Sequence, residues 1–144
     1  MARYVATIET PRAQEDVFAY LSDFSTTQEW DPGVAEAERL DGGPIGVGSR
    51  FKVVADVMGR RTPLVYAVVA LDAPHSITLR GENATVVSLD TIAFEPTATG
   101  GTRVSYDADL TLKGPLGVGD PLLKLVFNRI GDRAVAGLRT ELGA

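Results

Sequence analysis

The sequence predicts an α+β chain: seven strands in a curved antiparallel sheet, closed by one long C-terminal helix, with two short helices after the first strand. Three observations carry this prediction. First, Thr102 to Lys113 alternates strictly. Val104, Tyr106, Ala108, Leu110 and Leu112 fall on one face and Arg103, Ser105, Asp107, Asp109, Thr111 and Lys113 on the other, the pattern of a sheet wet on one side. Second, beyond a Gly114-Pro115 break the period becomes helical. At about 100° per residue, Leu123, Val126, Phe127, Ile130, Ala134, Gly137 and Leu138 share one stripe, with Lys124, Asn128, Asp132 and Arg139 roughly opposite. Third, runs of strands separated by short turns argue for an antiparallel sheet and against alternating β-α units.

From the start of the chain, Arg3 to Thr10 alternates as a first strand, and Thr10-Pro11 offers an N-cap followed by a proline at the first helical position. Val17 and Leu21, with Ala13 and Phe18 beside them, give the next two to three turns an apolar face. Ser22 is the expected cap of a second small helix near Phe24 to Gln28, and Trp30-Asp31-Pro32-Gly33 then turns the chain. Strands are expected at Val34 to Leu40, Arg50 to Met58, Thr62 to Leu71, Ser76 to Glu82, Thr85 to Glu95 and Thr102 to Lys113. Their connections are Asp41-Gly42-Gly43-Pro44 with Gly46 and Gly48, Met58-Gly59-Arg60, Asp72-Ala73-Pro74, Glu82-Asn83 and Thr99-Gly100-Gly101, all short enough for hairpins. Asp120 caps the last helix and Pro121 takes its first position, where a missing N–H does no harm.

The 144 residues suit one domain, 1–144, with a single core. Hydrophobic residues at 44% and charged residues at 23% exclude a largely disordered chain. Fourteen basic against nineteen acidic side chains give a net charge of −5, which repels phosphate backbones and anionic lipid surfaces, so no nucleic-acid partner is expected. Without cysteine there is no disulfide, thiolate nucleophile or sulfur-ligated metal. The chain enters its first strand almost at once, without a secretory signal, and has no apolar run near the twenty residues that span a bilayer. A cytoplasmic protein without membrane insertion is the expectation.

The order and residues of these elements resemble the START/SRPBCC helix-grip superfamily, in particular its polyketide cyclase/dehydrase-like branch. At the front the resemblance rests on Ile8-Glu9-Thr10-Pro11, Glu15 to Asp23 and Trp30. At the back it rests on Asp90 to Pro96, Gly101 to Tyr106, Lys113-Gly114-Pro115-Leu116 and Asp120-Pro121-Leu122-Leu123. It implies a seven-stranded sheet wrapped around the terminal helix with an apolar cavity between, and specifies neither ligand nor reaction. Similar domains bind lipids, sterols, quinones or polyketides, and some catalyse cyclisation or dehydration.

The ligand-binding candidates are large side chains on the inner faces and the helix stripe: Trp30 at one rim, Phe51, Tyr66, Tyr106, Val126, Phe127 and Ile130. For each, plain core packing competes with ligand contact. Tyr66 and Tyr106 are more telling, because a buried phenol needs a hydrogen-bond partner and can orient a guest. Gly131 and Gly137 each cost roughly 1 kcal/mol against Ala inside a helix, and close helix-to-sheet packing is the reading preferred for Gly137. The strand from Thr85 to Glu95 carries apolar residues on both faces. If its Phe94 face is internal, Asp90 projects into the cavity and becomes a general acid or base candidate. The favoured reading is a solvated strand charge.

His75, the single histidine, is expected exposed at a turn, and no nucleophile elbow accompanies it. No metal or cofactor is expected. Gly42 to Gly48 reads as a flexible loop that gates the cavity rather than a phosphate loop, since it lacks the Gly-Lys-Ser/Thr ending and opens onto no helix. Arg80 with Glu82, and Asp56 with Arg50, are read as surface pairs. The leading function is capture of a small apolar, lipid- or polyketide-like molecule. The alternatives are a cyclase, aromatase or dehydratase using Tyr66, Tyr106 or Asp90, and a protein-interaction domain, with a homodimer as one such partner.

Overall fold

The computed structural model describes residues 2–57, 59–113 and 121–143, and side chains throughout these except at 121–123. The Gly114-Pro115 break, the Asp120 cap, Met58 of the hairpin turn and the Leu123 side chain lie outside the described residues. The strands are β1 (Ala2–Thr10), β2 (Val34–Arg39), β3 (Arg50–Val57), β4 (Arg60–Asp72), β5 (Ser76–Glu82), β6 (Val86–Pro96) and β7 (Thr102–Leu112). They form one seven-stranded sheet in the order β1-β7-β6-β5-β4-β3-β2, with every pairing antiparallel. Helix α1 (Gln14–Ser22), a 3-10 turn (Phe24–Thr26) and α2 (Thr27–Trp30) follow β1, and α3 (Pro121–Leu142) ends the fold. The curled sheet grips α3, as expected.

Two caps differ from expectation. Helix α1 begins at Gln14, with Ala13 as its N-cap, because Thr10 is used elsewhere: its hydroxyl donates to the Leu142 carbonyl at 2.7 Å. The second helical segment is capped by Asp23 rather than Ser22, the Asp23 carboxylate accepting from Ser25 N at 3.1 Å. Ser22 instead donates back to Ala19 O at 3.4 Å.

The core sits under α1 and the 3-10 turn. Val17, Phe18, Leu21 and Phe24 cover Phe51, Val68, Ile77, Leu79, Ile92, Phe94 and Val104 from the sheet. Burying each large side chain contributes about 1.5–3 kcal/mol. Phe18 meets Phe94 edge-on at 5.2 Å, and Phe24 meets Phe51 at 6.4 Å.

Helix α3 is fastened mainly along its C-terminal half. The Tyr4 hydroxyl donates to Asp132 Oδ1 at 2.7 Å, and Leu138 and Leu142 are buried. Both helix glycines mark close approaches. A Cβ at Gly131 would come within 2.5 Å of the Tyr4 ring, so β1 lies against the helix there. At Gly137 a Cβ would overlap the Trp30 carbonyl oxygen, so its neighbour is the end of α2, a correction to the sheet contact expected from the sequence. A backbone carbonyl cannot swing aside as a side chain does. Gly137→Ala is therefore expected to lower stability by about 2–3 kcal/mol. Urea denaturation checks this, with Gly46→Ala, in open space, changing stability by less than about 0.5 kcal/mol.

Candidate functional site

Between the concave face of the sheet and α3 lies a cavity of about 390 Å³. It is large enough for a small molecule. Alternation along the strands builds its walls: Val53, Ala55 and Val57 from β3, Leu64 and Tyr66 from β4, Ser88 and Asp90 from β6, and Tyr106, Ala108, Leu110 and Leu112 from β7. The roof is Val126, Phe127, Ile130, Ala134 and Leu138 of α3, most of the stripe read from the sequence. Phe24, Trp30 and Asp31 close the deep end, and the far end reaches the strand ends at Val57, Thr62, Thr85 and Leu112.

Six of the seven sequence-predicted ligand residues line this space: Trp30, Tyr66, Tyr106, Val126, Phe127 and Ile130. Phe51 does not. It pairs with Tyr66 across β3 and β4 on the same face, but it lies beyond the closed end, fully buried under Phe24. The glycine-rich loop also falls away from the cavity, because it joins the ends of β2 and β3 opposite to Val57. It is tied there, with Gly48 N donating to Val68 O at 2.9 Å and Arg39 donating to the Gly42 and Pro44 carbonyls. This overturns its reading as a gate. His75 is exposed at the same end, following the cis Ala73-Pro74 bond. Arg80 and Glu82 form an exposed ion pair that Lys113 joins, whereas Arg50 and Asp56 make no ion pair among the described residues.

The favoured reading of Asp90 as a solvated charge is also corrected. The Phe94 face of β6 is internal and Asp90 is only 5% exposed. Its carboxyl accepts from the Tyr106 hydroxyl at 2.6 Å and from the Ser88 hydroxyl at 2.7 Å. Burial raises its pKa, against the two hydrogen bonds, which favour the charged form. Tyr106 is held from its other side by Trp30, whose ring meets it edge-on at 6.1 Å. Trp30 Nε1 is buried without a hydrogen-bond partner among the described residues. Tyr66 lies over Gly81, its cross-strand partner, where a Cβ would reach within 2.5 Å of the ring. Burial and the nearby Asp90 raise both phenols.

Two members of this cluster were not singled out from the sequence. Ser88 stands two residues before Asp90 and so shares its face, a spacing visible once the face is known. Asp31 was read only as part of a turn. Its Oδ1 does accept from Gly33 N at 2.8 Å, yet the side chain also lines the cavity. Burial pushes its pKa up from 3.8 to about 6, outweighing that hydrogen bond, with the Asp90 charge adding a smaller push. Among the described residues, no cluster of His, Cys, Asp and Glu is placed to hold a metal, and no helix is long and apolar enough to cross a membrane.

The raised Asp31 value fixes a sign. The folded chain holds this proton more tightly than the unfolded one, so that contribution to stability is full below about pH 4 and is lost as pH rises through about 6. Asp31→Asn keeps the acceptor for Gly33 and removes the charge. It is expected to stabilise the protein by about 1–3 kcal/mol at pH 8 and to lose that advantage near pH 4, as read by denaturant titration at the two pH values.

The geometry matches solved structures across almost the whole chain. A START superfamily protein from Mycobacterium smegmatis superposes with a TM-score of 0.82 at 16% identity, covering 99% of this chain and 98% of that one. An aromatase/cyclase from Streptomyces sp. R1128 gives 0.75 at 14% identity, with coverage of 97% and 90%. A STAR-related lipid transfer protein from Xanthomonas axonopodis gives 0.73 at 18% identity, with coverage of 99% and 86%. At these identities the likeness is one of fold. No curated protein matches the sequence. The family model for polyketide cyclase / dehydrase and lipid transport matches residues 1–143, and the chain belongs to that family.

Proposed function

We propose that this protein binds a small hydrophobic ligand, lipid- or polyketide-like, in the cavity between the sheet and α3. The observation that carries this reading is the apolar lining of that space, whose aliphatic and aromatic walls come from β3, β4, β7 and α3. A guest that buries roughly 300 Å² of apolar surface gains about 7 kcal/mol before the cost of association. Micromolar affinity then needs a few oriented polar contacts, and the polar groups at the deep end, Tyr66 and Asp31 foremost, would supply them. Membership of a family that includes lipid transport agrees with this reading.

The neutral fluorophore N-phenyl-1-naphthylamine is expected to be taken up at one molecule per chain. Ala134→Phe, which fills the cavity from the helix, is expected to weaken uptake at least tenfold while the unfolding transition stays within a few degrees of the parent. Uptake untouched by this change would place the probe elsewhere and remove the reading.

One observation favours a second reading, a cyclase or dehydratase acting on the bound molecule: the carboxyl of Asp90 is buried against the Tyr106 phenol, where its raised pKa suits a general acid. The cavity would hold a flexible chain in a folded, reactive shape; the Asp90–Tyr106 pair would protonate the hydroxyl that departs as water and, once ionised, take the hydrogen from the adjacent carbon as the C=C bond forms. On a polyketide-like substrate, Asp90→Asn and Tyr106→Phe are each expected to lower turnover by about 10²-fold or more with fluorophore uptake retained. Turnover unchanged in both variants would leave binding alone as the function.

A further inference from the structure

The polar groups of the cavity carry one sign of charge and one pattern of unmet hydrogen bonds. Asp31, Asp56 and Asp90 line it, and no Lys, Arg or His does among the described residues. Residues 114–123, which connect β7 to α3 and begin that helix, contain no basic residue either. Nothing here would neutralise a carboxylate or phosphate on a guest, and two carboxyls at the deep end would repel it.

The deep end also presents a donor. Tyr66 is 8% exposed and lines the cavity, and among the described residues its hydroxyl donates to no acceptor. Ser88 neighbours this phenol and gives its own proton to Asp90, which leaves the Tyr66 hydroxyl able to engage an oxygen of a guest beside it. Tyr106 is likewise committed, its proton lying on Asp90 Oδ2. Asp31 has one oxygen on Gly33 N and its second without a partner among the described residues. A guest that both accepts from Tyr66 and donates to the Asp31 carboxyl meets the two groups at once. A hydroxyl does both and is neutral. An ammonium has no lone pair for the phenol, and a carboxylate has no proton for Asp31.

We propose that the cavity selects apolar molecules whose buried end is a neutral hydroxyl, an alcohol or a phenol, held between the Tyr66 hydroxyl and the Asp31 carboxyl, and that it refuses lipids whose buried end is anionic. This rests on the binding reading given above and narrows it.

The test is displacement of bound N-phenyl-1-naphthylamine at pH 8 by 1-dodecanol, dodecanoate and dodecylammonium, each below its micelle concentration, so that only the end group differs. The alcohol is expected to displace the probe at least tenfold more tightly than dodecanoate and more tightly than the amine. Tyr66→Phe and Asp31→Asn are each expected to narrow the gap between alcohol and carboxylate to threefold or less, while dodecane, which has no polar end, competes equally with both variants and the parent. Dodecanoate or dodecylammonium binding as tightly as the alcohol would overturn the selectivity and leave hydrophobic binding intact. Failure of the probe itself to bind would overturn both.

Discussion

The arrangement depends on how α3 is held: firmly along its C-terminal half and not pressed onto the sheet along its apolar stripe. Gly131 admits the Tyr4 ring, Gly137 admits the Trp30 carbonyl, and the end of the helix receives the Thr10 hydroxyl at the Leu142 carbonyl. These contacts lie along β1 and the end of α2, at one side of the concave face. Val126, Phe127 and Ile130 are consequently left facing open volume while still turned toward the sheet. Two helix positions without a side chain thus decide both where the helix sits and that there is space beneath it.

Within that space, apolar walls and a polar floor differ in what they could offer a guest of the kind proposed. The walls would supply affinity without direction, since burial of hydrocarbon depends on area. The floor would supply direction. Its carboxyls are costly to bury, and Asp90 is tolerated because two hydroxyls satisfy it, whereas Asp31 takes a single backbone N–H. A fold of this size keeps such a cluster at a cost in stability, the usual pattern at binding sites. An aromatase/cyclase and a lipid transfer protein share this scaffold at 14% and 18% identity, so the scaffold by itself does not set the activity.

Much of this was legible in the sequence, and its limits were physical. Strict alternation in β7 identified the inner face because polar residues there fill the other side without exception. In β6 the outer face carries Val87, Leu89 and Ala93, and Leu89 is 41% exposed, so hydrophobicity could not say which way Asp90 pointed. Phe51 was correctly placed inward, yet periodicity reports the face and not the depth along the strand, and the difference between core and cavity wall is depth. Asp31 was hidden for a related reason. Asp before Pro-Gly is explained by turn chemistry alone, and a residue with one sufficient explanation attracts no second. The cap of α1 moved because Thr10 spends its hydroxyl on the Leu142 carbonyl across the fold, and that of the 3-10 turn because adjacent Ser22 and Asp23 can both cap and Asp23 takes Ser25 N.

The strand order has a consequence for how the chain reaches this state. The five pairings from β2 through β7 join neighbours in sequence, whereas β1 meets β7 with Ala2 opposite Leu110. Local hairpins close with little loss of chain entropy, and the long closure is the slow one. A nascent chain can therefore lay down its meander early and still own no receptacle, because Tyr106 and the helical roof belong to its final third. The cavity is complete only with that last closure, so a guest of the kind proposed, present at that moment, would favour the closed form by mass action and act as part of the fold's own completion.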